Sequence, residues 1–388
     1  MEHYIFYCKL SLLAVLSLIT ACCMLSRRWY VNLAAFLACL SGETFLAHLF
    51  FPGYMLCPAA ASFIILFLSR IWDLSRTPAK GNGADPIRLP VRSGIRESRL
   101  EFYYYYSNFL VYGGAGSGKT KSIGKWLLSE YMRLGFAGFI YDFKDTDYTR
   151  TAYNLIKRHR YPHKFYYVSF DRPERSYRFN PLKVVRDRTE LIQLMEDVLL
   201  ALLPKKEQQN EWVAGGLGIL RGVAFRFWDE FPEHCTLPHI LAFIMTASAR
   251  QLSLFLQQNL VSEMLAGAYL KAEGSEKTQA SYLSTLCNNL ATISQNEEIA
   301  YVLSGDDFDF NLIDPETPKL FAVSNNFSKN SVYAPVISML MTISARQFSM
   351  QNRVPFVYFL DEMTTVNIRN FETMPSVLRE YKVGFVLQ

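Results

Sequence analysis

Apolar residues are concentrated at the start of this 388-residue chain, where three hydrophobic runs follow one another. Residues 10–26 carry no charge, residues 29–51 are interrupted only by Glu43 and His48, and residues 54–69 form the third run. A helix needs roughly 17 to 25 apolar residues to cross a bilayer, and the runs reach or approach that length. The pattern predicts a transmembrane region over residues 1–75 that contains two or three helices.

Two topologies are compatible with the charges that flank these runs. With three helices, the pair Arg27-Arg28 and the whole chain after Arg70 face the cytoplasm, as the positive-inside rule prefers. With two helices, residues 29–51 become an outer loop and the arginine pair lies on the opposite side. Both versions predict a multi-pass protein of the cell membrane whose remaining residues lie in the cytoplasm.

The pattern changes after a segment rich in proline, glycine and charge, residues 76–100, which is typical of a linker. Short apolar runs then alternate with segments of helical period, as they do in a parallel sheet covered by helices. The alternation predicts strands at 108–112, 137–143 and 165–170 and helices at 119–134 and 148–159.

From residue 186 to residue 303 nearly every segment has a helical pattern. Strand-like runs return only afterwards, at 320–324, 356–360 and 383–388. This order predicts an α/β domain in two parts, residues 101–185 and residues 304–388, that is interrupted by an all-α insertion over residues 186–303.

Composition narrows the possible chemistry without deciding it. Half of the residues are hydrophobic and the net charge is +5, which excludes a disordered chain and permits, without requiring, an acidic partner such as nucleic acid. Of the seven cysteines, five lie in the predicted membrane region, and none forms a C-x-x-C pair. The sequence therefore argues against a disulfide framework and against structural zinc.

A glycine-rich octamer, G-G-A-G-S-G-K-T, lies between the first strand and the first helix of the α/β pattern. It matches G-x-x-x-x-G-K-[ST], the loop that surrounds the phosphates of a bound nucleotide. Glycines let backbone N–H groups close around phosphate oxygens, the lysine contacts the β- and γ-phosphates, and the threonine hydroxyl binds Mg²⁺. The residues predicted to bind nucleotide are Gly113, Gly114, Ala115, Gly116, Ser117, Gly118, Lys119, Thr120 and Lys121.

A phosphate loop needs a carboxylate for the metal at the end of a buried strand. The apolar run 356–360 ends in such a residue, Asp361, and Glu362 follows it. In P-loop ATPases the first acid holds Mg²⁺ and the second can polarise the attacking water. Because the sequence lacks the [NT]-K-x-D motif that recognises guanine, it favours ATP with Mg²⁺ as the cofactor.

Four further residues are candidates because of their positions beside predicted strands. Gln388 ends the strand predicted next to the acid strand, where a glutamine can sense the γ-phosphate. Arg379 precedes the same strand and either reaches the nucleotide of a neighbouring subunit or caps a helix. Asp142 and Lys144 follow the second strand, at the carboxyl edge where open α/β sheets bind ligands, and ordinary surface charge is the alternative.

Residues 157–160, Lys-Arg-His-Arg, form a basic cluster beside Tyr161. Such a cluster suits the phosphate backbone of a nucleic acid. The end of a solvated helix is the other interpretation, and both stay open at this point.

The order of these parts resembles the type IV coupling proteins of bacterial conjugation, the TraG/TraD-type DNA-transfer ATPases. The resemblance covers roughly residues 100–388 and implies a RecA-like P-loop NTPase domain with an inserted all-α domain. It rests on an ordered set of motifs: the phosphate loop, Asp142-Phe143-Lys144, Phe179-Asn180-Pro181-Leu182, Asn210-Glu211-Trp212, Asp361-Glu362 and Gln388.

The resemblance implies a homo-hexameric ATPase of the bacterial inner membrane. Such a protein receives a relaxase–DNA complex and drives single-stranded DNA into a type IV secretion channel. It also implies the residue roles: Lys119 and Thr120 bind nucleotide, Asp361 binds Mg²⁺, Glu362 activates water, Gln388 is the sensor and Arg379 acts in trans.

Family members continue past the sensor glutamine, so the sequence predicts a truncated second part of the nucleotide-binding domain with an open sheet edge. Two other functions are compatible with the motifs. The first is a membrane receptor for relaxase that uses nucleotide only as a switch, and the second is a related FtsK/HerA or secretion-type ATPase. Stimulation of turnover by single-stranded DNA distinguishes the motor from the switch, and the helical block after Pro181 argues against the related ATPases.

Overall fold

The computed structural model describes residues 85–93, 96–114, 116–144, 146–203 and 206–388, together with Ile5 and Phe45. The predicted transmembrane region therefore lies almost entirely outside the described residues, and its two topologies stay predictions. Within the described part, no helix combines the length and the apolar character that a bilayer crossing requires. The chain divides into two units, Met1–Gly83 and Ala84–Gln388, and all elements described below belong to the second.

The second unit alternates strands and helices before and after a long helical segment. Its strands are β1 Ile87–Ser93, β2 Arg96–Phe102, β3 Phe109–Leu110, β4 Ala137–Asp142, β5 Lys164–Ser169, β6 Lys319–Ser324, β7 Phe356–Leu360 and β8 Val383–Leu387. Its α-helices are α1 Lys125–Arg133, α2 Asp147–His159, α3 Arg188–Leu202, α4 Glu211–Glu230, α5 Leu237–Thr246, α6 Ala249–Gln257, α7 Leu260–Leu265, α8 Gly267–Lys271, α9 Glu276–Ser294, α10 Glu297–Leu303, α11 Asn330–Arg346 and α12 Met374–Val377.

Six of the strands form one parallel sheet in the order β3-β8-β7-β4-β6-β5. The predicted α/β class with a parallel sheet is confirmed. Because all six strands run in the same direction, their carboxyl ends meet at one edge, where ligands of open α/β sheets bind. The last strand, β8, lies between β3 and β7 and so separates the glycine-rich loop from the acid strand by one strand width.

The central strands are buried on both faces, which explains why they appear in the sequence as continuous apolar runs. On β4 and β7, the side chains of Phe139 and Tyr358 join the core formed with α11 and the helices of residues 188–303. Ile140 and Phe359 point to the other face and join the core formed with α1 and α2. The alternation of side chains along each strand thus builds two separate cores on one sheet.

The regular elements between Arg188 and Leu303 are all helical, as the pattern indicated. Their starts follow from local side-chain chemistry, since Asp187 Oδ1 accepts a hydrogen bond from the Glu190 N–H at 2.9 Å and Asn210 Oδ1 accepts one from the Trp212 N–H at 3.0 Å. Their apolar side chains belong to the same core as one face of the sheet. The domain boundaries at residues 186 and 303 stay predictions, because the whole of Ala84–Gln388 forms one compact unit.

Part of the predicted linker, residues 76–100, forms structure instead. β1 and β2 pair as an antiparallel hairpin in which Ile87 lies opposite Phe102, and the Arg88 N–H donates to Glu130 Oε2 on α1 at 2.8 Å. Proline and glycine in this segment suggested a linker, whereas the alternating apolar residues Ile87, Leu89 and Val91 carried the strand signal.

An aromatic cluster fixes the segment after β5 to the sheet. The ring of Phe179 lies 4.8 Å from that of Phe308, 4.9 Å from that of Phe310 and 5.7 Å from that of Phe321 on β6. Phe179 is fully buried, and its N–H donates to Val302 O at 2.8 Å. This residue therefore connects the sheet to the end of the helical segment.

Replacement of this ring tests the role of the cluster. Phe179→Ala removes a fully buried aromatic side chain, and we expect the free energy of unfolding to fall by about 3 to 5 kcal/mol. Phe327→Ala is the matched control, because Phe327 is 87% exposed and its loss should change stability by no more than about 0.5 kcal/mol. Urea unfolding of the purified full chain measures both, and equal losses would show that the cluster does not stabilise the fold.

Candidate nucleotide site

The glycine-rich loop, residues 113–120, leaves the sheet directly after β3. The Val111 N–H donates to Leu387 O at 2.9 Å, so β8 fixes the start of the loop. Gly116 and Gly118 have φ values of 75° and 82°, in the left-handed region that residues with a Cβ rarely adopt. Ala115 lies outside the described residues. The backbone therefore has the conformation that lets N–H groups turn towards a common centre.

The end of the loop merges into the start of a helix. Thr120–Gly124 forms a π-helical turn that continues into α1, and the Ser122 N–H donates to Gly118 O at 2.8 Å. The Lys119 ammonium folds back and donates to Gly113 O at 2.7 Å, while Lys121 is exposed. An anion in the loop would face the positive end of the helix dipole.

Asp361 follows β7 and is the most unusual charged group of this edge. Its side chain is 1% exposed, and neither carboxylate oxygen accepts a hydrogen bond within the part of the chain that the structure describes. Lys144 Nζ lies 3.7 Å from Oδ1, which is too far for a hydrogen bond. Burial raises the pKa of Asp361 to about 6, although the positive charge of Lys144 opposes the shift. A buried carboxylate with free lone pairs fits a cation such as Mg²⁺.

Glu362 lies next to this acid in a different environment. Lys144 Nζ donates to its Oε1 at 2.9 Å, and this hydrogen bond lowers the pKa of Glu362, with further contributions from the charges of Lys144 and Lys119. For Lys144 itself, burial would lower the pKa, but the two carboxylates outweigh it and raise the pKa overall. The edge thus holds one acid whose proton is retained to an unusually high pH and one that is firmly ionised.

The backbone of Glu362 is held in an uncommon conformation, with φ at 47°. Thr365 Oγ1 donates to Glu362 O at 2.7 Å and accepts from the Tyr141 hydroxyl at 2.7 Å, and Asn325 Nδ2 donates to the same Tyr141 hydroxyl at 2.9 Å. These bonds connect the turn after β7 to β4 and to the end of β6. Sequence reasoning missed Thr365, Tyr141 and Asn325, and only their positions near strand ends could have indicated them.

Asp142, at the end of β4, is a second buried acid of the same edge. Its Oδ2 accepts from the Thr149 N–H at 2.8 Å and from the Thr149 hydroxyl at 2.9 Å, while Oδ1 has no partner among the described residues. Burial raises the pKa of Asp142, and the bonds from Thr149 oppose that effect. Asp142 therefore fixes the start of α2, in addition to any contact with a ligand.

Gln388 lies between the loop and the acids, as the sheet order requires. Its N–H donates to Leu360 O at 3.0 Å, and its O accepts from the Met363 N–H at 3.2 Å, so its backbone is tied to both sides of Asp361. Its side-chain Oε1 accepts from the Tyr148 hydroxyl at 2.6 Å. Tyr148 is a further residue that sequence reasoning missed.

The structure does not bring Arg379 to this edge. Arg379 is exposed and precedes β8, whereas the site lies at the carboxyl end of that strand, about 17 Å away at ~3.3 Å per residue. The basic residues 157–160 end α2 and lie at the same remote edge, since α2 runs back along the sheet. Lys119, Thr120, Asp142, Asp361, Glu362 and Gln388 converge, and Arg379 stands apart from them.

A glycine loop, a helix N-terminus and a buried acid at the carboxyl edge of a parallel sheet together define a P-loop NTPase-like fold. Residues 91–387 match the family model described as type IV secretory system conjugative DNA transfer. The chain belongs to this family, so the resemblance to the type IV coupling proteins is confirmed.

Solved structures of a bacterial conjugative coupling protein, TrwBdeltaN70, are similar to this chain. The unbound monoclinic form matches with a TM-score of 0.58 and 15% identity over 82% of this chain and 68% of that one. The trigonal form in complex with sulphate matches with a TM-score of 0.56 and 16% identity over 74% of this chain and 63% of that one. TrwB in complex with ADP and Mg²⁺ matches with a TM-score of only 0.45 and 14% identity over 65% and 63% of the two chains. No curated protein sequence matches this chain.

The raised pKa of Asp361 predicts a pH-dependent stability. The pKa of Asp361 is about 6 in the folded chain and has an ordinary value of 3.8. The folded state therefore binds the proton more tightly than the unfolded state. The free energy of unfolding is highest below about pH 4 and falls as the pH rises through 6. Asp361→Asn removes the charge, so at pH 7.5 without Mg²⁺ it should raise the free energy of unfolding by on the order of 2 kcal/mol. The gain should vanish near pH 4.

Denaturant titrations of the full chain at pH 7.5, 6 and 4, in chelating buffer, measure this difference. Asp306→Asn is the control, because Asp306 is exposed and its ion pair with Lys183 lies at the surface, so the substitution should change stability little at any pH. A loss of stability in Asp361→Asn at pH 7.5 would contradict the prediction.

Proposed function

We propose that this chain is a membrane-anchored ATPase that couples a relaxase–DNA complex to a type IV secretion channel and drives single-stranded DNA transfer. The observation that carries the proposal is the convergence, at one sheet edge of a member of the conjugative DNA-transfer family, of the glycine loop and the buried carboxylate of Asp361, which accepts no hydrogen bond from the residues that the structure describes. ATP is the proposed nucleotide, and Mg²⁺ the proposed metal.

Different residues of this sheet edge would bind the phosphates and the metal ion. The backbone of residues 113–118 would surround the phosphates, Lys119 would neutralise their charge, and Lys121 would add to the positive field at the helix start. Thr120 and Asp361 would hold Mg²⁺. Bound Mg·ATP would supply the phosphoanhydride bond whose cleavage releases free energy.

Glu362 is the proposed proton acceptor. Its ionised carboxylate can hold a water molecule and take its proton, provided that Lys144 Nζ releases Oε1. Lys144 Nζ also lies 3.7 Å from Asp361 Oδ1, so its ammonium and a metal ion held by Asp361 would be two cations in one small, poorly solvated region. The ion pair between Lys144 and Glu362 would therefore control whether the proton acceptor is available.

The assembly and the cellular location belong to the same proposal. The apolar runs within residues 1–75 support an anchor in the bacterial inner membrane with the ATPase part in the cytoplasm. The remote and exposed position of Arg379 supports a homo-hexamer in which this side chain acts on the nucleotide of a neighbouring subunit. This chain spans 68% of one TrwB structure and 63% of the other, so the partners of a whole coupling protein are part of the proposal.

ATP hydrolysis by the purified full chain tests the function. We expect Mg²⁺-dependent turnover that single-stranded DNA stimulates, and we expect Lys119→Ala and Glu362→Gln each to lower it by roughly 100-fold or more. Lys277→Ala is the control, because Lys277 is exposed on α9 and its loss should leave turnover unchanged.

Two results would contradict the motor. The first is ATP turnover that single-stranded DNA does not change, together with a Glu362→Gln variant that still binds relaxase. This result would favour a nucleotide-switched receptor. Absence of heat on titration with Mg·ATP would remove the nucleotide site altogether.

A further inference from the structure

A buried tyrosine of α2 joins the two sides of the candidate site. Tyr148 is fully buried, and its ring lies 4.7 Å from that of Phe359 on β7. Its hydroxyl donates to Gln388 Oε1 at 2.6 Å. None of the motifs of the sequence contains this residue, and the hydroxyl is not needed for the packing of the ring.

The hydrogen bond determines which half of the Gln388 amide stays available. Because the phenol hydrogen engages Oε1, the amide directs its NH₂ elsewhere, and Nε2 is buried without a hydrogen-bond partner within residues 85–388 as described. An NH₂ group is a donor only, so it needs a hydrogen-bond acceptor, such as an oxygen atom of a phosphate. A buried donor without an acceptor costs free energy until a ligand supplies one.

Gly124, directly before α1, leaves space for the hydrogen bond between Tyr148 and Gln388. A Cβ at Gly124 would lie 2.0 Å from the Tyr148 hydroxyl oxygen and 2.4 Å from Gln388 Nε2, so only glycine leaves room for the bond. Burial raises the pKa of the Tyr148 phenol, as does the negative charge of Asp361, whereas the nearby Thr120 hydroxyl and the Gln388 amide lower it. Tyr148 therefore lies between a predicted metal ligand and the predicted sensor.

We infer that Tyr148 is a positioning residue that holds the Gln388 amide with its NH₂ free to donate to a γ-phosphate oxygen. The inference rests on the proposed function and deepens it, because it assigns the discrimination between a triphosphate and a diphosphate to a hydroxyl that no motif contains. A phenylalanine at this position would keep the packing on Phe359 but would leave Oε1 without its donor. The Gln388 amide could then rotate so that Oε1 faces the phosphate, and the two negatively polarised oxygens would repel each other.

Tyr148→Phe in the full chain tests the inference through binding as well as turnover. We expect the affinity for Mg·ADP to stay within twofold of the unmodified chain, while the affinity for Mg·ATPγS falls about tenfold. We expect kcat to fall at least tenfold as well. Calorimetric titration gives the two affinities, and Tyr358→Phe is the matched control, because Tyr358 is equally buried but bonds to Ser344 on the opposite face of the sheet at 2.7 Å.

Melting of the protein without nucleotide supplies an independent measurement. Tyr148→Phe and Gln388→Ala should together lower the melting temperature by less than the sum of the single changes, because either one breaks the same hydrogen bond. In nucleotide binding, Gln388→Ala should likewise add little once Tyr148→Phe is present.

The outcomes separate the inference from the function on which it rests. An unmodified chain that binds neither nucleotide overturns the proposed function together with the inference. If the unmodified chain binds Mg·ATPγS more tightly than Mg·ADP and Tyr148→Phe keeps the same preference, the inference alone is overturned. Additive melting shifts would also overturn it, since they would show that the two side chains act separately.

Discussion

The rest of the site depends on the Asp361 carboxylate, which is buried at the end of a central strand and accepts no hydrogen bond from the described residues. The fold bears the free energy of burying Asp361 because the β7 backbone is fixed by strands on both sides, and Lys144 offsets it only partly from 3.7 Å. A buried carboxylate is stable in its ionised form only when a positive charge lies close to it. The polar groups of this edge can be understood as the arrangement that receives a second cation.

The position of the last strand gives the site its geometry. Insertion of β8 between β3 and β7 separates the glycine loop from Asp361 and leaves the Gln388 side chain between them. Phosphates held by the loop and a metal held by the acid would then occupy neighbouring places above the end of β8. A direct pairing of β3 with β7 would have left no room for an intervening donor.

Much of this architecture could be predicted from the sequence, because its determinants are local. Apolar runs with turn residues at both ends located β4 to β8 to within two residues, and the octamer that ends at Thr120 identified the loop by the chemistry of its residue types. Contacts between distant segments could not be predicted in this way. Tyr148 meets Gln388 across 240 positions, and a buried tyrosine near a helix start has no signature that separates it from ordinary core. The hairpin β1–β2 was missed because its proline and glycine outweighed a short apolar alternation.

The shared core beneath the sheet has a mechanical consequence. The helices of residues 188–303 and one face of the strands bury their side chains in a single close-packed cluster, and the ion pair between Arg346 on α11 and Asp197 on α3, at 2.7 Å, also connects the two regions. A rotation of the helical segment as a separate rigid body would expose that apolar surface to water. Displacements at the carboxyl edge must therefore reach the helices as small shear movements of packed side chains, so that the sheet and the helical segment deform together.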